Sequence, residues 1–127
     1  MNYLLDTNII IIYSRNNDVS KLIEHKYRLF EDHHNLFISA VSLGEIDAII
    51  KKLNLGKQRR NKIYEIIAEV GEIGIHFKEI IEKYGDIDAF SQGKLKHHKG
   101  KFSSRNMGKN DIWIAATASA FEMILVT

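Results

Sequence analysis

The chain alternates short continuous apolar runs with longer stretches whose apolar positions recur every three or four residues. Residues 2 to 5, within "MNYLLDTNIIII", and the later run "LFISA" are brief and β-prone, as strands buried on both faces are. Asn8 is the expected cap of a short helix reaching about Ser14. The stretch "NNDVSKLIEHKYRLFEDHH" spaces Leu22, Ile23, Lys26, Tyr27 and Phe30 three and four apart, which predicts an amphipathic helix starting near Asp18. Ser42 is positioned to cap a helix that turns Leu43, Ile46, Ile49, Ile50 and Leu53 inward and stops at Gly56. A further helix is expected from about Lys57 to Ala68. "EIGIHF" reads as a third strand, and the next helix runs from Lys78 to about Lys96, weakened at Gly85. The loop "HHKGKFSSRNMG" leads into "NDIWIAATASAF", a helix with Ile112, Ala115, Ala116 and Ser119 on its inner face, and "MILV" closes as a strand. Strands alternating with helices predict an α/β fold with a parallel sheet covered on both faces.

Composition narrows the class. With 127 residues, 45% of them hydrophobic, the chain has the material for one core and is expected to form a single domain over 1–127. It contains no cysteine, which removes disulfides, thiolate metal sites and cysteine nucleophiles and fits a reducing cytosol. The apolar opening run has no basic segment before it and holds Asp6, unlike an export signal, and no stretch reaches the ~18 apolar residues of a membrane helix. A cytoplasmic protein without a membrane partner is expected. The net charge is only +2, yet the bases are clustered, and clusters decide contact with nucleic acid more than totals do.

Asp6 stands out because it interrupts a run built for burial. A buried carboxylate without a partner is costly, since its oxygens lose water and gain nothing. In open α/β sheets the carboxyl ends of the strands form the crevice where ligands bind, and Asp6 ends the first strand. Glu45 lies about one turn into the helix after the second strand, and Asp111 opens the last helix. Three carboxylates sharing one crevice would repel one another, and a hard divalent cation such as Mg²⁺, which prefers oxygen ligands, resolves the conflict. Each acid also has a plainer explanation. Glu45 falls three residues after Ser42, as in a capping box, Asp111 is a first-turn acid favoured by the helix dipole, and Asp6 can sit in a hydrogen-bonded turn with Thr7 and Asn8.

Together "LLDTN", "ISAVSLGEI" and "NDIWIAATA" resemble the PIN domain, and most closely the VapC-like toxins of bacterial toxin–antitoxin pairs. The resemblance spans the chain from residue 3 to its end. It implies a three-layer α/β/α sandwich around a mostly parallel sheet, and a Mg²⁺- or Mn²⁺-dependent endoribonuclease with Asp6, Glu45 and Asp111 as catalytic acids and metal ligands. Thr7 and Asn8 would support the first acid, and Asn110 precedes the third. Tyr84 resembles a recurrent family position. The resemblance also implies RNA as substrate, with loops of tRNA or rRNA as examples, and products carrying a 5′-phosphate and a 3′-hydroxyl. Its implied partners are a second copy in a homodimer and a cognate antitoxin whose peptide lies in an apolar groove, expected near Ile9 to Tyr13 and Leu22 to Tyr27. Family members continue past the last strand with a Thr-x-Asp segment supplying a fourth acid, whereas this sequence stops at Thr127. A shortened form of a longer protein is the favoured expectation, and a three-acid site is the alternative.

Substrate contact is expected from two basic runs, Lys51, Lys52, Lys57, Arg59, Arg60 and Lys62, and then Lys94, Lys96, Lys99, Lys101 and Arg105, with Lys109 beside the last acid. Lys99, Lys101, Arg105 and Lys109 are the candidates to clamp a phosphate backbone near the metal. The plain alternative for both runs is a solvated helix end. Phe102 offers a base-stacking ring or a core residue, and Trp113 and Tyr3 are read as core. The adjacent pairs His33/His34 and His97/His98 face different ways on a helix, and no His-x3-His spacing or cysteine partner exists, so a zinc site is not expected. A phosphotransferase with an aspartate nucleophile would need a second acid two residues after Asp6, where Asn8 stands. The remaining rivals are a catalytically impaired PIN-like module that only binds nucleic acid and a housekeeping RNA-processing nuclease.

Overall fold

The computed structural model describes residues 1–91 and 108–127. The strand β1 (Asn2–Leu5) leads into α1 (Thr7–Ser14) and α2 (Asp18–Tyr27), then β2 (Asn35–Ser39), α3 (Ala40–Lys52), α4 (Lys57–Ala68), β3 (Gly71–Ile73), α5 (Lys78–Ser91), α6 (Lys109–Ala120) and β4 (Ile124–Val126). The strands form one sheet in the order β3-β2-β1-β4, and every pair is parallel. The expected α/β architecture with a parallel sheet is therefore present.

Side chains alternate across a strand, and β1 uses both directions. Leu5 enters a core with Ile9, Ile10, Ile38, Ile46 and Ile63, while Leu4 packs on the opposite face with Ile114 and Ala118. Both leucines are fully buried, each burial stabilising the fold by about 1.5–3 kcal/mol. This two-sided burial explains why the segment reads as unbroken apolar sequence. Past the strand's end the Asp6 backbone N–H still donates to the Val126 carbonyl at 2.9 Å, tying Asp6 to the sheet.

Four helix starts or stops differ from expectation, each for a local reason. The caps of α1 and α3 are Asp6 and Ser39, not Asn8 and Ser42, because each strand hands directly to its helix without a loop. Ser42 lies inside α3, buried, with its hydroxyl unpartnered among the described residues, so no capping box with Glu45 forms. Likewise α3 ends at Lys52 with Leu53 exposed at its cap, and Gly56 caps the start of α4.

The amphipathic helix α2 stops at Tyr27, short of Phe30, because Arg28 takes a left-handed backbone (φ 51°). The Glu24 carboxylate secures that turn by accepting from the Tyr13 hydroxyl at 2.8 Å and from the Phe30 and Glu31 backbone N–H groups at 3.0 and 2.9 Å. Burial, then this bond and the Glu24 charge, push the Tyr13 phenol upward. Ile9, Ile10 and Tyr13 are core residues, so that part of the expected antitoxin groove is not open surface, whereas Val19, Leu22 and Tyr27 on α2 are exposed.

β3 is confined to Gly71–Ile73, shorter and earlier than "EIGIHF". Gly71 is required there by close approach, since an added Cβ would meet the Phe37 ring at 2.8 Å. His76 and Phe77 leave the sheet and stack on each other at 4.4 Å. α5 passes through Gly85 unbroken to Ser91, and the expected continuation to Lys96 lies outside the described residues. In α6 the buried residues are Ile112, Ile114, Ala116, Thr117 and Ala118, while Ser119 is exposed. The buried arc is wider than one stripe because α6 packs on the sheet and along α5.

Candidate active site

All the strands run parallel, so the starts of α1 and α3 sit at the carboxyl edge of the sheet. α6 runs back to feed β4 and presents its first turn at that edge too. Asp6 is half-buried and caps α1, accepting the Thr7 backbone N–H at 2.7 Å. The buried Thr7 side chain spans to the neighbouring helix, its hydroxyl donating to Glu45 Oε1 at 2.7 Å. That bond takes the place of the capping box expected for Glu45. Thr7 thus holds Asp6 with its backbone and Glu45 with its side chain.

Asp111, exposed in the first turn of α6, lies across an open cavity of 360 Å³ walled by Glu45, Gly108, Lys109, Asn110 and Asp111. Asp6 feels both other acids. Burial raises its pKa above the ordinary 3.8, the bond from the Thr7 N–H opposes that, and the charges of Asp111 and Glu45 raise it further. No described cation forms an ion pair with any of the three. They are therefore three like charges at one sheet edge without an ion-pair partner among the described residues.

The acids share an edge but not yet a coordination sphere. Among the described residues no three His, Asp or Glu side chains are grouped closely enough to hold one metal ion. Asp111 Oδ2 stands 3.5 Å from where a Cβ on Gly108 would be, beside the start of its own helix. Mutual repulsion favours such separation. The donor set still suits a hard divalent cation in its chemistry: carboxylate oxygens only, with a charge excess that a cation would relieve.

The other expected residues distribute unevenly. Asn8 is exposed on α1, and Asn110 and Lys109 are exposed beside Glu45 and Asp111. Lys99, Lys101 and Arg105 lie outside the described residues, as do Lys94, Lys96, Phe102, His97 and His98. The first basic run splits. Lys51 pairs with Asp47 at 2.7 Å, Arg59 donates to the Ser14 hydroxyl at 3.2 Å, and Arg59 and Lys62 line a separate 780 Å³ cavity with Arg15. Tyr84 packs on Trp113, ring centroids 4.0 Å apart. Tyr3 is packed against the core as expected, but Trp113 is half-buried and lines a second cavity. That cavity, 570 Å³ between α3 and α6, includes Glu45 and Asn110 in its lining and was not legible from sequence spacing.

Residues 3–127 match the PIN domain family. Among solved structures, VapBC2 from Rickettsia felis, bound to a DNA fragment from its promoter, is 23% identical with a TM-score of 0.78, covering 100% of this chain and 87% of that one. VapBC-1 from nontypeable Haemophilus influenzae is 25% identical with a TM-score of 0.70, covering 100% and 86%. A toxin–antitoxin complex from Klebsiella pneumoniae is 22% identical with a TM-score of 0.62, covering 98% and 84%. No curated protein sequence matches.

Proposed function

Because the chain belongs to the PIN domain family, a family of nucleases, we propose that it is a Mg²⁺- or Mn²⁺-dependent endoribonuclease and the toxin of a toxin–antitoxin pair. The observation that supports this best is the electrostatic coupling of Asp6 to Asp111 and Glu45. Asp6 is pushed toward protonation by burial and by the charges of Asp111 and Glu45, at the sheet edge where such folds place ligands. Asp6, Glu45 and Asp111 would hold the cation. When bound, it would lower the pKa of a water and offset charge on the phosphodiester in the transition state.

The chain's own residues then divide the work. Thr7 fixes the direction of Glu45 through its hydroxyl and of Asp6 through its backbone N–H. A carboxylate of the trio can take the proton from the attacking water. Lys109, with Lys99, Lys101 and Arg105, would bind the RNA backbone. Thr7→Val keeps shape and burial but removes the donor. Cleavage is expected to fall about 10- to 10²-fold, since a small misplacement of a reacting group is costly, with Tm near wild type. An unchanged rate would show that the Thr7–Glu45 bond is dispensable.

The Klebsiella pneumoniae structure named above is a toxin–antitoxin complex by its description, which supports a cognate antitoxin here, with exposed Leu22 and Tyr27 on α2 as part of its seat. A homodimer and a cytoplasmic location belong to the same reading. No described helix is long and apolar enough to cross a membrane. The function is tested by incubating the purified protein with structured RNA and with DNA of the same sequence, with Mg²⁺, with Mn²⁺ and with chelator. Cuts in RNA that appear only with metal are expected. Cuts that persist in chelator, or no cuts under any of these conditions, would overturn the proposal.

A further inference from the structure

Arg59 and Lys62 on α4 meet Arg15, from the end of α1, around a cavity of 780 Å³ that shares no lining residue with the acidic one. Arg15 stands nine residues and therefore about 13 Å along the chain of α1 from Asp6. The two cavities are separate places on the molecule. The only acid in this lining, Glu65, lies 3.9 Å from Lys62, and no described acid pairs with Arg15 or Arg59, so positive charge is in excess.

Arg59 is already positioned. Its Nε donates to the Ser14 hydroxyl at 3.2 Å, and that buried hydroxyl donates in turn to the Ile11 carbonyl at 2.6 Å. With Nε fixed, the two terminal amino groups remain for a ligand, and a planar fork of this kind matches two oxygens of a phosphate. The carbonyls at the end of α1 do not compete for it. Ile11 is taken by Ser14, Ile12 by the Arg15 N–H at 3.2 Å and Tyr13 by the Asn16 N–H at 3.1 Å. The start of α4 adds donors of its own. Gly56 caps that helix without a side chain, its first turn holds no acid, and Gly56 and Gln58 both line the cavity, so the positive end of the helix borders the same space as the guanidinium.

We infer that this cavity binds a phosphate group, held by the Arg59 fork, neutralised by Arg15 and Lys62 and completed by N–H groups at the start of α4. The bound chemistry is a tetrahedral phosphate, free as the inorganic ion or carried on a nucleotide chain. The site uses neither the cation nor the three acids, so it goes beyond the nuclease reading and stands or falls without it.

The test is an NMR titration of the isotope-labelled protein with inorganic phosphate, in metal-free buffer held at constant ionic strength with sodium chloride. The Lys57, Gln58 and Arg59 amides and the Arg59 Nε–H should shift together and saturate. Arg59→Lys keeps the charge but loses the fork, and should weaken binding about ten-fold or more, as loss of a hydrogen bond to a charged group does. Gly56→Asp is the sharper variant. Gly56 has an extended backbone (φ −68°, ψ 163°) and an added Cβ meets no atom within 4 Å, so aspartate fits there and caps α4 with its own carboxylate. Its Tm should equal or exceed that of wild type, while phosphate binding is lost because the carboxylate takes the N–H groups and repels the anion.

The titration repeated with a single-stranded oligoribonucleotide bound identifies the source of the phosphate. Displacement of phosphate, with weaker oligonucleotide binding by Gly56→Asp, supports the site and assigns it to a nucleotide chain. Phosphate that binds equally with the oligonucleotide present supports it and assigns it to the free ion. Shifts that never saturate, or binding by both variants equal to that of wild type, would overturn the inference.

Discussion

Asp6→Asn is expected to lower RNA cleavage about 10²-fold or more while raising the Tm of the metal-free protein. Asparagine keeps the oxygen that accepts the Thr7 N–H, and it caps helices as well as aspartate does, so α1 loses nothing. What disappears is a charge that the fold disfavours. The Asp6 pKa is raised above 3.8 chiefly by burial and further by Asp111 and Glu45, with only the Thr7 N–H opposing. The folded protein therefore retains that proton at pH values where the unfolded chain has released it. This contribution to stability is complete below about pH 3.8 and is lost as pH rises through the raised folded value. The Tm advantage of Asp6→Asn should accordingly be largest at neutral pH and vanish toward pH 4. Saturating Mg²⁺ should reverse the order, because a ligand that binds only the folded wild type stabilises it by mass action. A variant less stable than wild type at neutral pH without metal would contradict this account of the acidic cluster.

Leu5→Ala is the second large effect and acts on the fold. Leu5 is fully buried among Ile9, Ile10, Ile38 and Ile46 in the larger core, so truncation leaves a cavity and should cost about 2–5 kcal/mol. For a domain of this size that lowers Tm on the order of 10 °C. Asp6 follows Leu5 directly and is held to β4 by its backbone N–H, so relaxation around the cavity should also displace the acid. Cleavage is expected to fall by more than the loss of folded protein explains. Leu53→Ala is the control, since Leu53 is exposed and its truncation should stay within about 0.5 kcal/mol. Thermal unfolding monitored by circular dichroism decides between them, and a loss below about 1 kcal/mol for Leu5→Ala would place the core elsewhere.

β1, β2, β4 and most of the helices were legible because burial leaves a pattern in the sequence, whereas β3 lay earlier than its expected segment. β1 and β2 read as continuous apolar runs since both their faces are covered, and α4 matched its expected span. Signals that depend on partners distant in sequence were not legible. The end of α2 is set by Glu24 bonding back to Phe30 and Glu31, and no local pattern marks a glutamate for that use. Ser42 had the right spacing from Glu45 for a capping box but sits three residues too late, because β2 runs into α3 without a turn. Ser119 fitted a single helical stripe, whereas α6 is covered on two sides.

At the site, Asp6 announced itself as a charge inside an apolar run, and Glu45 and Asp111 joined it through their places at helix starts and through the family resemblance. The Thr7–Glu45 bond crosses between elements and could not be read from either segment alone. The cavity beside Glu45 was likewise hidden, since its walls come from α3, α6 and the turn holding Ile75.

The central claim is that oxygens of Asp6, Glu45 and Asp111 close around one cation. The most direct measurement is anomalous diffraction from crystals grown with Mn²⁺. A peak bonded to carboxylate oxygens of all three residues is the predicted result. A peak elsewhere, or none at this edge, would contradict the claim.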